Sequence, residues 1–257
     1  MVTADALLEV RDLSKRFAGV CAVDGVSFAI GGGGVHAVIG PNGAGKTTLF
    51  NLITGFESPT AGEVRVDGRS VTGLPPHRLA ALGVGRTFQT PQICADLTAL
   101  ENVMLGAHLR LRRNPLAAML RPGDIARRDR ALRDKAAELL ASVGIAGSGD
   151  APGRAMAYGD LKRLEIARAL AAEPRLLCLD EPAAGLNQRE AQDLDQLIRA
   201  IADSGITVML VEHDMRLVMS LSQHVLVLNY GRKIAEGAPD EVDRDAEVLS
   251  AYLGTHV

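Results

Sequence analysis

The run Gly40-Pro41-Asn42-Gly43-Ala44-Gly45-Lys46-Thr47-Thr48 has the residue types and spacing needed to hold a nucleoside triphosphate. It fits G-x-x-x-x-G-K-[ST]. Gly40, Gly43 and Gly45 let the backbone curl until its N–H groups converge on the phosphates. Lys46 offers a point charge toward the β- and γ-phosphates, and the Thr47 hydroxyl is a ligand for Mg²⁺. A second constellation follows at Leu176-Leu177-Cys178-Leu179-Asp180-Glu181, an apolar run ending in two carboxylates. Asp180 can hold Mg²⁺ through water, and Glu181 can polarise an attacking water.

These groups need elements that bring them together. Val35-His36-Ala37-Val38-Ile39 has strand length, and Thr47-Thr48-Leu49-Phe50-Asn51-Leu52-Ile53 can open a helix whose N-terminus faces the anion. Val64-Arg65-Val66-Asp67 alternates like a half-buried strand, with Gly68 as a turn. Leu176–Leu179 and Thr207–Val211 are continuous apolar runs, as in parallel strands buried on both faces. Between them Leu194, Leu197, Ile198 and Ile201 share one helix face, which Gly205 ends. Val225–Leu228, Asn229-Tyr230-Gly231 and Arg232–Ala235 read as a closing hairpin. This alternation predicts an α/β sheet.

From about Thr90 to Tyr158 helices dominate. Thr98 and Glu101 form a capping box, and Leu132, Ala136, Leu139, Leu140 and Val143 form an apolar face ending at Gly144. This segment is expected to be an inserted helical subdomain, with linkers near Gln89 and at Gly147–Gly153. It is rich in arginine (Arg110, Arg112, Arg113, Arg121, Arg127, Arg128, Arg130, Arg133, with Lys135), read as a solvated helical face. Closeness to anionic lipid headgroups is the second reading.

Composition narrows the function classes. A chain of 257 residues can bury a full α/β core plus one insert. A net charge of −3 gives no global case for nucleic acid. Cys21, Cys94 and Cys178 are scattered, as reduced thiols used for packing. No apolar run reaches the roughly 18 residues of a membrane span. Met1–Asp5 lacks a basic start or apolar h-region, so no export signal is expected.

In order and spacing, these motifs resemble the nucleotide-binding subunits of ATP-binding cassette (ABC) transporters over nearly the whole chain. The resemblance implies a P-loop NTPase (RecA-like) α/β core with an N-terminal antiparallel β region. The core would comprise residues 1–89 and 159–238, the helical subdomain 90–158 and a helical tail 239–257. It implies that Phe17, in Lys15-Arg16-Phe17, stacks on adenine. Gln89, in Arg86-Thr87-Phe88-Gln89, would sense Mg²⁺, and His213, in Val211-Glu212-His213-Asp214-Met215, would contact the γ-phosphate.

The family signature aligns with Met156-Ala157-Tyr158-Gly159-Asp160 and departs from its usual form. Ala157 replaces a serine, Tyr158 the first glycine and Asp160 a glutamine, while Gly159 is kept. Losing the serine removes one hydrogen bond to a charged group, typically about 1.5–3 kcal/mol. Backbone N–H groups and the helix dipole can still bind an anion there. The D-loop ends in Asn187 where aspartate is usual.

Within the family, Tyr158-Gly159, Asp180–Asn187, Val211–Met215 and Ala251-Tyr252-Leu253-Gly254 resemble the ATPase subunits of branched-chain (hydrophobic) amino-acid importers, the larger of the two. A lipopolysaccharide-export ATPase ranks lower. A soluble non-transport ABC ATPase would carry two cassettes or a nucleic-acid-binding insert, and a kinase would need an acceptor site and lid. The resemblance implies ATP and Mg²⁺ as ligands and a position on the cytoplasmic face of the plasma membrane. Its implied partners are a second ATP-binding subunit, permease subunits and, indirectly, a solute-binding protein.

Overall fold

The computed structural model describes residues 6–107 and 122–253, the side chains of 122–126 and 253 excepted. Arg110, Arg112, Arg113, Arg121, Met1–Asp5 and Gly254 therefore lie outside the described residues.

A six-stranded sheet forms the centre. Its strands are β3 (Val35–Ile39), β6 (Val84–Arg86), β7 (Leu176–Asp180), β8 (Thr207–Val211), β9 (His224–Asn229) and β10 (Arg232–Gly237), in the order β10-β9-β3-β8-β7-β6. All pairings are parallel except β9 with β10, the closing hairpin. A second, antiparallel sheet contains β1 (Ala6–Phe17), β2 (Val20–Gly31), β4 (Ala61–Val66) and β5 (Arg69–Ser70), in the order β2-β1-β4-β5.

The unbroken apolar run of β7 is explained by its two faces. Leu176 and Cys178 enter a core shared with α1 (Lys46–Ile53) and the antiparallel sheet. Leu177 and Leu179 point the other way, into a core shared with α5 (Tyr158–Leu170), α6 (Gln188–Asp203) and α7 (Met215–Leu221). Strand side chains alternate, so only a strand covered on both faces must be apolar at every position.

The segment between β6 and α5 is largely helical among its described residues. It holds α3 (Ala99–Gly106) and α4 (Pro122–Ser142), with α2 (Pro76–Ala81) preceding it in the core. Thr98 and Glu101 form the reciprocal capping box at the start of α3. Ala136, Leu140 and Val143 are buried, and Gly144 takes φ 80° to end the run. The stretch Gly147–Gly153, expected as a linker, is instead fastened to residues 95–100. Ala99 and Leu100 donate to the carbonyls of Ala151 and Gly149, and Gly153 and Arg154 donate to Leu97 and Ala95. Gly153 leaves room for the Ile93 side chain: a Cβ there would lie 2.4 Å from Ile93 Cδ1. Helix α5 packs along both α3 and α4. Two short helices, α8 (Pro239–Val242) and α9 (Ala246–Leu253), close the described chain. Among the described residues no helix is long and apolar enough to cross a membrane.

Candidate functional site

The phosphate loop joins β3 to α1. Gly45 caps the helix in the left-handed region (φ 102°), where a Cβ would also meet the Ala22 carbonyl oxygen at 2.4 Å. Gly40 is equally constrained, since a Cβ there would sit 2.1 Å from the Leu228 carbonyl oxygen. Lys46 is buried and arches back over the loop, its amine donating to the carbonyls of Gly40 (2.7 Å) and Pro41 (3.0 Å). Burial pulls its pKa down, opposed by the negative field of Glu181 and Asp180.

Asn42, Gly43, Gly45, Lys46, Thr47, Thr48 and Glu181 line one open cleft of about 380 Å³. Val20, Cys21, Ala22 and Tyr230 complete its walls. Glu181 follows β7 directly and takes φ 44°, a left-handed conformation uncommon outside glycine. That turn carries its half-buried side chain to the cleft, away from the strand core. Gln89 Nε2 donates to Glu181 Oε2 at 2.8 Å, and His213 Nδ1 lies 4.0 Å from the same oxygen. The sequence-distant Gln89, Glu181 and His213 are therefore neighbours.

Asp180 is buried, and Arg86 Nη2 donates to its Oδ2 at 2.9 Å. Desolvation raises its pKa and Arg86 opposes that rise. Arg86 also donates to Asn51 Oδ1 and Thr54 Oγ1, both at 2.7 Å, so this cation ties β6, β7 and α1 together. Thr47, Asp180 and Gln89 offer hydroxyl, carboxylate and amide oxygens, a hard donor set that suits Mg²⁺. No cluster of three or more acidic, histidine or cysteine ligands occurs among the described residues.

Of the expected residues, Gly40, Gln89, Asp180, His213, Phe17 and Ala157–Asp160 are not among those lining the cleft. Phe17 sits at the β1–β2 turn, 42% exposed, with Lys15 Nζ 4.8 Å from its ring centre. Val20, Cys21 and Ala22 of the same hairpin are the residues that reach the cleft. The signature Ala157–Asp160 forms the start of α5 and is also absent from the lining. Ala157 is the N-cap and supplies no side-chain acceptor. Tyr158 donates weakly to the Gln89 carbonyl at 3.4 Å, and its ring packs on Gly185. A Cβ at Gly185 would lie 3.0 Å from Tyr158 Cε1, so the bulky signature residue fits because its neighbour has no side chain. Asn187 caps α6, accepting from Arg189 and Glu190 N–H, while Glu190 accepts from Asn187 N–H. An asparagine does this without a charge.

Three further side chains escaped the sequence reading. Glu212 is fully buried and accepts from Ala183 N–H (3.0 Å) and His213 N–H (3.1 Å), joining the loops after β7 and β8. Lys162 and Glu165 of α5 are also buried and point at the Gln89 segment. For Glu212 the available signal was a charged residue directly after the apolar run Val208–Val211.

Comparison with known proteins agrees with this geometry. Residues 23–184 match the model of the ABC transporter family, more than half of the chain. The chain belongs to the ABC transporter family. Residues 232–257 match the model of the branched-chain amino acid ATP-binding cassette transporter. The high-affinity branched-chain amino acid transport ATP-binding protein BraF of Pseudomonas aeruginosa is 44% identical, covering 96% of this chain and 98% of that one. LivG of Escherichia coli, named for the same transport, is 39% identical with the same coverage. The lipopolysaccharide export ATP-binding protein LptB of Escherichia coli is 33% identical over 97% of this chain and 98% of its own. Among solved structures, MJ1267, an ATP-binding cassette of an ABC transporter in its ADP conformation, superposes with a TM-score of 0.82. It is 31% identical and covers 97% of this chain and 99% of its own. The fold is thus that of an ABC ATPase cassette, and the chain is an ABC ATPase.

Proposed function

We propose that this ABC ATPase powers an importer of branched-chain or other hydrophobic amino acids. The full-length similarity to BraF and LivG, with the matching C-terminal segment, favours that over lipopolysaccharide export.

The roles follow from the geometry. Thr47, Asp180 and Gln89 would hold Mg²⁺, which when bound neutralises charge on the phosphate oxygens. Lys46, now bonded to carbonyls of its own loop, would turn to the β- and γ-phosphates. Glu181, with an oxygen in the cleft and oriented by Gln89, would take the proton of the attacking water. His213 would hold the γ-phosphate from the far side of Glu181. Phe17 would stack on adenine beside Val20 and Ala22.

One observation carries the shared-site reading. The cleft gathers the phosphate loop and Glu181 but none of Ala157–Asp160. The open N-terminus of α5, lacking a side-chain cap, would serve the nucleotide of a second subunit placed head to tail. Permease subunits would dock at an apolar groove of about 440 Å³ between core and insert, lined by Phe56, His77, Phe88, Leu105 and Arg168 among others. Phe88 adjoins Gln89, so movement at the groove reaches the site. Peripheral attachment at the cytoplasmic face of the membrane follows from such docking, with the solute-binding protein engaged only through the permease. The test is ATPase activity of the purified chain against protein concentration, alone and co-expressed with its neighbouring membrane subunits. Turnover per chain is expected to rise with concentration and again in the complex. Concentration-independent turnover of the monomer would overturn the shared-site reading.

A further inference from the structure

Helix α5 does more than present its N-terminus. Lys162 lies one turn beyond Tyr158, at i+4 on the same face. It is 3% exposed, and its amine donates to the carbonyl of Gln89 (2.7 Å) and to that of Glu181 (3.1 Å). Glu165 follows at 1% exposure and accepts from Phe88 N–H (3.2 Å) and Gln92 N–H (2.9 Å). The Gln89 segment is thus held on both flanks, and the Glu181 backbone is held with it, by two side chains of one helix.

A buried ammonium is costly unless its charge is compensated. Burial pushes the Lys162 pKa down, while Glu165, Glu212, Asp180 and Glu181 push it up. Lys162 is therefore a cation set among four carboxylates. One of these, Glu212, passes the connection on through its bond from His213 N–H. Neither Lys162 nor Glu165 lines the cleft, and their charged groups are taken up by the backbone of Phe88, Gln89, Gln92 and Glu181.

We propose that Lys162 is a positioning residue that couples the two ATP sites of an assembled pair. The start of α5 would meet the nucleotide held by the partner's phosphate loop. One turn later, about 5.4 Å along the axis, Lys162 holds Gln89 and Glu181 beside the nucleotide of its own chain. Any shift of α5 on engaging one nucleotide moves the base serving the other. This inference rests on the head-to-tail reading above.

The test uses the full chain with Lys162→Met and Lys162→Arg, measuring ATPase rate against ATP concentration, binding of a fluorescent ATP analogue, and the thermal midpoint. Lys162→Met is expected to lower kcat about tenfold, bring the Hill coefficient to about 1, and leave analogue affinity within about twofold. Lys162→Arg, which keeps charge and donors, is expected to recover most of kcat. Either of two results overturns the proposal: Lys162→Met keeping kcat and the wild-type Hill coefficient, or losing kcat, affinity and thermal midpoint together without rescue by arginine. If wild-type turnover is independent of protein concentration, the shared-site reading fails and takes the coupling with it. The kcat comparison then judges Lys162 as a positioning residue within one chain, because both its bonds are intramolecular.

Discussion

Gln89 donates its side-chain amide to the Glu181 carboxylate at 2.8 Å, joining the end of the first core segment to the end of β7. This bond holds one carboxylate oxygen of Glu181 in place. Gln89→Glu would set carboxylate against carboxylate and is expected to reduce kcat by about 10²-fold with the KM for ATP little changed. Gln89→Ala, which removes the donor and the amide oxygen proposed for Mg²⁺ without adding charge, should cost about tenfold. Steady-state kinetics on both variants distinguishes repulsion from a lost orienting bond. Equal losses would mean that repulsion adds nothing to the lost bond, and an unchanged kcat in Gln89→Ala would mean that the bond does not orient the base.

Glu181 occupies a left-handed backbone conformation immediately after a fully buried strand. Such strain persists where surrounding structure enforces it, here through Glu181 N–H donating to the Val211 carbonyl at 3.0 Å. Glu181→Gln keeps this shape and the bond partner but not the basicity. Turnover is expected to fall by about 10²–10⁴-fold, and ATP should stabilise a dimer visible by sedimentation velocity. A variant retaining near wild-type turnover would remove Glu181 as the base.

Arg86 and Asp180 form a buried pair, each side chain only 6% exposed. Removing one partner of such a pair leaves an uncompensated charge. Arg86→Met is expected to destabilise the chain by about 3–5 kcal/mol, read from urea unfolding. Adding Asp180→Asn should recover part of that loss, because the stranded charge is then gone. A double variant no more stable than Arg86→Met would show that Asn51 and Thr54, not Asp180, are what Arg86 chiefly serves.

Much of this was legible in the sequence, for reasons that differ by element. The phosphate loop is local: its glycines and Lys46 act within a few residues, so spacing alone reveals it. Strands β7 and β8 are legible because burial on both faces keeps Leu176–Leu179 and Val208–Val211 apolar, with polar residues only at the strand ends. The long strands β1 and β2 were not read from periodicity. Their pairing shifts register at several points, and Asp12 takes φ 46°, so the alternation that marks a strand is broken. The straps from Lys162 and Glu165 were illegible for another reason. A charged residue in a helix reads as solvent-facing until tertiary packing shows that it faces loop backbone instead.

The burial of Glu212 can be checked directly through pH. It is fully buried at the end of β8, and desolvation raises its pKa above the ordinary 4.5, with the N–H groups of Ala183 and His213 opposing the rise. Between 4.5 and the raised value the folded chain binds more protons than the unfolded chain. The contribution of this group to stability is therefore fully present below pH 4.5 and is lost as pH rises through the folded pKa. Glu212→Gln cannot titrate, keeps one acceptor oxygen, and drops this dependence. The stability of the variant relative to wild type should accordingly increase across that window and level off above it. Thermal or urea unfolding of both proteins from about pH 4 to pH 8 measures the difference. A difference that stays flat across the range would mean that Glu212 keeps its ordinary pKa when folded, its two N–H donors fully offsetting burial.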